Sequence, residues 1–169
     1  MKYKIIEIPD ERLREKSIPV SSDEAGLGTL LKDMLSVMYE SNGVGLAAPQ
    51  IGLLKRIVVI DISKEKNSPI YMVNPEIIAH SEEKQKEYEG CLSIPNQFAA
   101  VERFQSVTVR FTNEKGKETI LDAEGFLAVA MQHEIDHLDG VLFIDHLSPL
   151  KRKMLLKRLE KKRKAEECA

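Results

Sequence analysis

The stretch GFLAVAMQHEIDHL, residues 125–138, organises the interpretation of this chain. Its first half is apolar around almost the whole circumference of a helix, and such a helix is buried in the centre of a domain. His133 and His137 are four residues apart, so on a helix they lie one above the other on one face. Glu134 lies about 100° round the helix from His133. Because buried polar groups need partners, the spacing predicts that both histidines bind one metal ion, with Glu134 close to a water molecule there.

This HExxH pattern is typical of metallohydrolases, and a catalytic site of this kind needs a third ligand. The metzincin spacing fails, because Gly140 fits but Phe143 stands where a histidine is required. Thermolysin-like sites take a glutamate from a later helix, and Glu160 in the basic tail is a poor candidate. Cys91 is the remaining strong donor, whereas Cys168 is the penultimate residue of a charged tail. A lone cysteine in mid-chain is more often a small buried hydrophobe, but the incomplete histidine pair favours Cys91 as a ligand.

Length and composition limit the possible classes of protein. The chain has 169 residues, which fits a single domain over residues 1–169. Its 25 basic and 27 acidic residues nearly balance, which argues against sequence-specific binding to nucleic acid. No apolar run approaches the roughly 18 residues of a membrane span, and the N-terminus does not resemble a signal peptide. Two widely separated cysteines argue against a disulfide framework, so we expect a reducing cytoplasm.

The patterns outside the HExxH helix predict an α+β fold in which antiparallel β-sheets pack around that helix, with a further helix at the C-terminus. Ser21 and Glu24 form a capping-box pattern ahead of a helix that ends near Glu40. The expected strands are Tyr3–Ile8, Arg56–Ile62, Ile70–Val73, Glu76–Ala79, Ala99–Arg103, Ser106–Thr112, Glu118–Ala123 and Val141–Ile144. Asn113–Lys117 is a hairpin loop.

The last predicted helix spans residues 148–167 and is strongly basic. Ser148 caps it and Pro149 occupies its first position. One face carries an apolar stripe, and the other carries Lys151, Arg152, Lys153, Lys157, Arg158, Lys161, Lys162, Arg163 and Lys164. A solvated face is the simpler interpretation, and docking on a phosphate-rich surface is the alternative.

Three motifs together resemble those of the peptide deformylase family. They are GVGLAAPQ at residues 43–50, EGCLS at 89–93 and QHEIDHLDG at 132–140. The resemblance covers nearly the whole chain, including Ser148–Lys151. The long basic helix is similar to that of the bacterial type 1 branch, in which the C-terminal extension is implicated in docking on the ribosome.

The resemblance implies hydrolysis of the formyl group from N-formylmethionine at the start of new polypeptides. It implies that Cys91, His133 and His137 bind a divalent metal, natively Fe²⁺, with Zn²⁺, Ni²⁺ or Co²⁺ as alternatives. It also implies catalytic roles for Glu134, Gln50, Leu92 and Gly45. In this scheme Glu134 is the general base, and the side-chain amide of Gln50 and the backbone N–H of Leu92 are the oxyanion donors.

The family pattern also suggests the substrate site. The glycines of the first motif leave room for a substrate strand, and the residues placed around the substrate are Gly43, Val44, Glu89, Arg103, Phe126, Val129 and Ala130. For the apolar members, ordinary core packing is an equally good interpretation. Arg103 could instead form a surface salt bridge with Glu89. Many members carry an aliphatic residue four positions before the cysteine, and Glu87 stands there in this chain.

Overall fold

The computed structural model describes residues 2–169, which form three α-helices, seven β-strands and three short 3₁₀ helices. The α-helices are α1 (Leu27–Glu40), α2 (Gly125–Leu138) and α3 (Pro149–Glu167). The strands are β1 (Gly45–Ala47), β2 (Ile57–Ile60), β3 (Ile70–His80), β4 (Lys84–Cys91), β5 (Ile94–Phe104), β6 (Ser106–Thr112) and β7 (Glu118–Glu124). The 3₁₀ helices are Glu11–Arg14, Ala48–Ile51 and Phe143–His146.

All of these strands pair in antiparallel fashion. Five form one sheet in the order β1-β2-β3-β6-β7, and β4 and β5 form a separate hairpin. Helix α2 packs its alanine and aliphatic side chains on the five-stranded sheet, in a core that includes Met131, Ile135 and Leu138. The predicted α+β class, with antiparallel sheets around the HExxH helix and a C-terminal helix, is confirmed.

The burial of α2 has a direct consequence for the functional residues. From Ala128 to Leu138 every residue except Asp136 is buried, including both histidines and Glu134. The prediction of a helix over residues 125–138 is correct at both ends. Three titratable side chains are therefore held in the interior, where each needs a compensating partner.

Helix α3 packs through Leu155 and Leu159 against the hairpin and the segment that follows α2. Ser148 caps the helix, since its hydroxyl accepts a hydrogen bond from the backbone N–H of Lys151 at 3.3 Å. None of the helices in the part of the chain that the structure describes has the length and apolar character needed to cross a membrane.

Two predictions are wrong for local reasons: the start of the first helix and the strand over residues 141–144. Helix α1 begins at Leu27 and not at the capping box, because Gly26 takes a left-handed φ of 78°, which a helix cannot accommodate. The hydroxyl of Ser21 binds Asp23 and so caps nothing. Residues 141–144 do not form a strand, because the carboxylate of Asp145 accepts a hydrogen bond from the N–H of Leu142 at 2.9 Å and closes a 3₁₀ turn.

Two further differences concern the strands. Residues 3–8 form no strand; their backbone makes single hydrogen bonds to separate segments. The two strands predicted on either side of Asn74 and Pro75 are one strand, β3, with an irregular register at that point. The side-chain amide of Asn74 bonds both the N–H and the carbonyl of Val20 at 2.8 Å.

Candidate metal centre

Cys91, His133 and His137 come together in the structure. One ligand atom from each lies within 4.8 Å of the others, and the Sγ atom of Cys91 is 3.3 Å from Nε2 of His137. The two histidines meet because they are four residues apart on α2. Cys91 reaches them from the end of β4, where the register with β5 shifts between Gly90 and Cys91. This irregularity is a β-bulge, and it turns the thiol towards the helix.

The two histidines of the cluster have pKa values that are shifted in opposite directions. Burial by itself lowers the pKa of His133, but hydrogen bonds to Cys91 and Glu89 outweigh it and raise that pKa well above the ordinary value. Burial lowers the pKa of His137 well below its ordinary value, so this imidazole is neutral and able to bind a metal. One sulfur and two imidazole nitrogens are donor types that fit a divalent transition metal.

A second layer of side chains fixes the orientation of His133. Its Nδ1 atom lies 2.7 Å from Oε1 of Glu89, which leaves Nε2 for the cluster. Arg103 donates two hydrogen bonds to Glu89, at 2.8 and 2.9 Å, and a third to Asp136 at 2.6 Å. His146 binds the same oxygen of Asp136 at 2.8 Å.

The predicted pairing of Arg103 with Glu89 is present, but the pair is buried and does not lie at the surface. Arg103 is only 5% exposed and Glu89 only 6%, so their ion pair is buried and lies behind His133. Both carboxylate oxygens of Glu89 are occupied by internal partners. The sequence interpretation missed Asp136 and His146, although a single aspartate in an otherwise buried helix was a signal that a partner existed.

Glu134 lies beside the cluster and in contact with β1. Burial raises its pKa to about 7, and its Oε2 atom has no hydrogen-bond partner among the described residues. Gly45 makes this position possible, since a Cβ atom built there would lie 2.6 Å from Oε1 of Glu134. Such a carboxyl group can take up and release a proton near neutral pH.

Gln50 approaches the cluster from the opposite side. Its Oε1 atom accepts a hydrogen bond from the N–H of Ala47 at 2.9 Å, which fixes the orientation of the amide. Its Nε2 atom donates to Oγ of Ser93 at 3.2 Å and lies 3.5 Å from Sγ of Cys91. A donor held next to the ligand cluster fits the role predicted for Gln50. Ser93, fully buried, is a holding residue that the sequence interpretation missed.

The N-terminal segment forms backbone hydrogen bonds with both Gln50 and Ser93. The N–H of Ile6 donates to the carbonyl of Gln50 at 2.8 Å, and the N–H of Ile8 donates to the carbonyl of Ser93 at 3.0 Å. Ile5 packs on the hydrophobic cluster that contains the buried residues of α1, whereas Ile6 and Ile8 pack on the cluster that contains Leu155 and Leu159 of α3. The segment that was predicted as a strand therefore lies between two hydrophobic cores.

A cavity of about 420 Å³ opens over the cluster. Its walls are the loop into β1, the tip of the β4–β5 hairpin and the two α2 side chains closest to them: Asn42, Gly43, Val44, Gly45, Gly90, Cys91, Leu92, Ile94, Pro95, Asn96, Gln97, Phe98, His133 and Glu134. The volume is sufficient for a small ligand or the end of a peptide. Gly43, Val44, Gly45 and Leu92 are among its lining residues. Phe126, Val129 and Ala130 are not among its lining residues; Phe126 is 55% exposed and the other two are buried.

The residue that excluded the metzincin spacing also has a place in the structure. Phe143 is 1% exposed, and its ring lies 6.0 Å from that of His133 at an interplanar angle of 23°. Phe143 therefore packs against the histidine ligand His133 and is not a ligand itself. The third donor is Cys91.

Comparison with known proteins agrees with this donor set. Residues 2–153 match the family described as polypeptide deformylase. The chain belongs to the polypeptide deformylase family. It is 49% identical to the peptide deformylase of Pseudoalteromonas translucida, covering 96% of this chain and 97% of that protein. It is 52% identical to peptide deformylase 2 of Xanthomonas axonopodis pv. citri, with 95% of each covered.

A solved structure of the family superposes closely. The crystal structure of a peptide deformylase from Legionella pneumophila gives a TM-score of 0.92 at 45% identity, covering 98% of this chain and 97% of that one. The family assignment therefore rests on both sequence and fold. The Cys-His-His metal site is typical of the family, and it unites the three motifs that the sequence interpretation singled out.

Proposed function

We propose that the protein hydrolyses the N-formyl group of formylmethionine at the N-terminus of newly made polypeptides and releases formate. The carrying observation is the position of Glu134, a buried carboxyl group with an unpaired oxygen beside the cluster of Cys91, His133 and His137. Membership of the polypeptide deformylase family supports the same reaction. Formyl amide and water are consumed, and formate and a free amine are produced.

Cys91, His133 and His137 would hold the metal. We propose Fe²⁺ as the native ion, with Zn²⁺, Ni²⁺ or Co²⁺ able to replace it, because mixed sulfur and imidazole ligands suit all four. When bound, a divalent ion supplies Lewis acidity, which lowers the pKa of water and polarises a carbonyl group. Metal analysis of protein purified without oxygen, and activity before and after exposure to air, tests this identity; activity that is stable in air would contradict Fe²⁺.

Glu134 is the group that moves the proton. Its pKa of about 7 in the metal-free protein allows it to accept a proton from the attacking water and later deliver it to the leaving amine. The unpaired Oε2 atom is free for this exchange, since no neighbouring donor in the described chain occupies it.

Gln50 and Leu92 stabilise the negative charge that develops on the formyl oxygen. The side-chain amide of Gln50 is pre-oriented by Ala47 and Ser93, so little reorganisation is needed when the charge forms. The backbone N–H of Leu92 is the second donor. Leu92 lies directly after Cys91 in the wall of the cavity.

The substrate backbone runs beside Gly43–Gly45 in this proposal, because β1 is an edge strand of its sheet and a peptide can add to such an edge. The methionine side chain is assigned to the α2 face that carries Phe126, Val129 and Ala130. These positions precede His133 at helical spacings of three, four and seven residues, so they share its face.

Formate release from formyl-Met-Ala, compared with acetyl-Met-Ala and with hydrolysis of internal peptide bonds, tests the reaction. We expect formate from the formyl peptide and little or no product from the others. Glu134→Gln should keep its metal and lose at least about 100-fold in kcat. Cleavage of internal bonds without formate release, or undiminished turnover by Glu134→Gln, would contradict the proposal.

The basic face of α3 is proposed to dock on the phosphate-rich surface of the ribosome. The face is exposed at Lys153, Lys157, Lys161 and Lys164, and charges of this kind bind nucleic acid in a salt-dependent manner. Truncation is a poor test because Leu159 is buried in the core. Replacing the four lysines by serine should weaken salt-sensitive cosedimentation with ribosomes and leave formyl-Met-Ala hydrolysis intact. Replacement of Lys115 and Lys117 in the hairpin loop is the control; equal loss in both variants would contradict docking through α3.

We further propose that residues 1–169 act as one domain in the cytoplasm. Both cysteines are free, as expected in a reducing compartment, and α2 packs against both the five-stranded sheet and the hairpin. A single cooperative unfolding transition would support one domain; two separate transitions would contradict it.

A further inference from the structure

Tyr39 and Asp61 form a hydrogen bond that joins the last turn of α1 to the residue that follows β2. The hydroxyl of Tyr39 donates to Oδ2 of Asp61, and Asp61 is only 4% exposed. Three further donors reach the same carboxylate: the N–H and the hydroxyl of Ser63, at 2.9 and 2.6 Å, and the N–H of Ser68 at 3.2 Å. A buried carboxylate whose acceptors are occupied in this way has a fixed orientation.

The protonation states of the two side chains suit this bond. Burial and the hydrogen bond to Asp61 raise the pKa of Tyr39, so its hydroxyl keeps the proton that it donates. Burial by itself raises the pKa of Asp61, but hydrogen bonds from Ser63 and Tyr39 outweigh it and lower that pKa. The acceptor is therefore ionised, and a hydrogen bond to an ionised acceptor is roughly twice as strong as one between neutral groups.

Two backbone hydrogen bonds connect this pair with the segment that leads into β1. The N–H of Gly43 donates to the carbonyl of Met38 at 2.9 Å, and the N–H of Asp61 donates to the carbonyl of Val44 at 2.8 Å. Because Met38 precedes Tyr39 and Gly43 precedes Val44, the contacts close on themselves. We call these residues the positioning network: Met38, Tyr39, Gly43, Val44 and Asp61. The bond between Tyr39 and Asp61 is its one link between two side chains.

The positioning network holds one wall of the cavity. Gly43 and Val44 line the cavity, whereas Tyr39 and Asp61 do not, so the two side chains can act on a ligand only through that wall. Strand β1 has only three residues and lies at the edge of its sheet. The position of the backbone just before β1 therefore depends on the contacts that the network supplies.

We propose that Tyr39 and Asp61 are positioning residues for the substrate. Their bond fixes the backbone of Gly43 and Val44, beside which the formylated peptide binds. The inference rests on the proposed deformylase function. The metal ligands and Glu134 belong to β4 and α2, outside the network, so loss of the bond should weaken substrate binding and spare the chemical step. Weaker binding of this kind raises KM and leaves kcat unchanged.

Tyr39→Phe tests the proposal, because it removes the donor and keeps the aromatic side chain. We expect KM for formyl-Met-Ala to rise about threefold to tenfold, the usual effect of one hydrogen bond. The value of kcat should stay within about twofold at equal metal content. Tyr71→Phe is the matched control, since Tyr71 is half-buried on the same hydrophobic cluster and does not line the cavity.

Amide hydrogen exchange, followed by NMR on the metal-loaded protein, is a second measurement that does not depend on turnover. The backbone N–H groups of Gly43 and Asp61 should exchange faster in Tyr39→Phe than in the unaltered protein. Tyr71→Phe should leave both rates unchanged. Equal exchange in Tyr39→Phe and the unaltered protein would show that the bond does not hold the wall, and would overturn the inference.

The kinetic outcomes separate the network from the reaction. An unchanged KM in Tyr39→Phe, or the same increase in Tyr71→Phe, would overturn the positioning role while formate release from formyl-Met-Ala upheld the function. A loss in kcat with unchanged KM would place the effect on the chemical step and overturn the inference as well. An unaltered enzyme that releases no formate would overturn both.

Discussion

Gly45→Ala offers a direct test of how the position of Glu134 is set. The added Cβ atom would lie 2.6 Å from Oε1 of Glu134 and 2.9 Å from its Cγ and Cδ atoms, whereas ordinary contacts of this kind are 3.4–4 Å. The carboxylate or the strand must therefore move by about 1 Å. A displacement of this size costs roughly 100-fold in rate when it misplaces a reacting group. We expect kcat to fall about 100-fold.

Steady-state formate release, metal content and thermal unfolding should be measured on the same preparations. The metal content should be unchanged, because the three atoms nearest to the added Cβ all belong to Glu134, which is not a metal ligand. Gly43→Ala is a graded control, since the one atom closer than 3.4 Å to its Cβ is the terminal Cδ1 of Leu92, at 2.7 Å, and that side chain can turn away. We expect a smaller loss there.

Gly28→Ala is the neutral control. No atom lies within 4 Å of its added Cβ, and alanine in a helix is favoured over glycine by about 0.5–1 kcal/mol. Its activity should equal that of the unaltered protein, with slightly higher stability. The reasoning would be refuted if Gly45→Ala kept kcat within about threefold, or if it lost metal in proportion to activity.

Two further predictions concern the ligands and the second layer. Cys91→Ser should lose most of its bound metal and Cys168→Ser should keep it; equal loss by atomic absorption would contradict the ligand assignment. Burial raises the pKa of Glu89, but hydrogen bonds from Arg103 and His133 outweigh it and hold the pKa at about 2. Because the pKa is lower in the folded protein than the unfolded value of 4.5, the ionised Glu89 stabilises the fold above pH 4.5. This stabilisation, on the order of 3 kcal/mol, is lost as the pH falls towards 2. The free energy of unfolding of the metal-free protein, measured with urea, should therefore decrease as the pH falls through this range. Glu89→Gln should show a smaller decrease with pH, and the same decrease in both proteins would disprove the linkage.

The parts of the molecule that the sequence predicted well are those set by local pattern. Helix α2 follows from its apolar residues and ends where Gly140 takes a φ of 72°. The pairing of β6 with β7 follows from two alternating segments joined by a short loop. Cys91 was identified by elimination and chemistry, and that identification succeeded because few side chains can complete an HExxH site.

The parts that were missed depend on long-range contacts. Strand β4 has the sequence KQKEYEGC, which is too polar to indicate a strand, and it exists because β5 pairs with it along its length. The ion pair of Arg103 with Glu89 was assigned to the surface or the substrate site, because burial of a charge pair cannot be read from sequence. Only the tertiary fold places that pair behind His133.

The N-terminal segment gives a different view of how the site is held together. Ile6 and Ile8 hydrogen-bond to Gln50 and Ser93 from outside the cavity, and neither isoleucine lines it. The backbone of this segment therefore joins two parts of the site that are far apart in the chain. Substitutions that displace the segment would shift Gln50 and Ser93 relative to each other, so the geometry of the site can change through residues that lie outside the cavity.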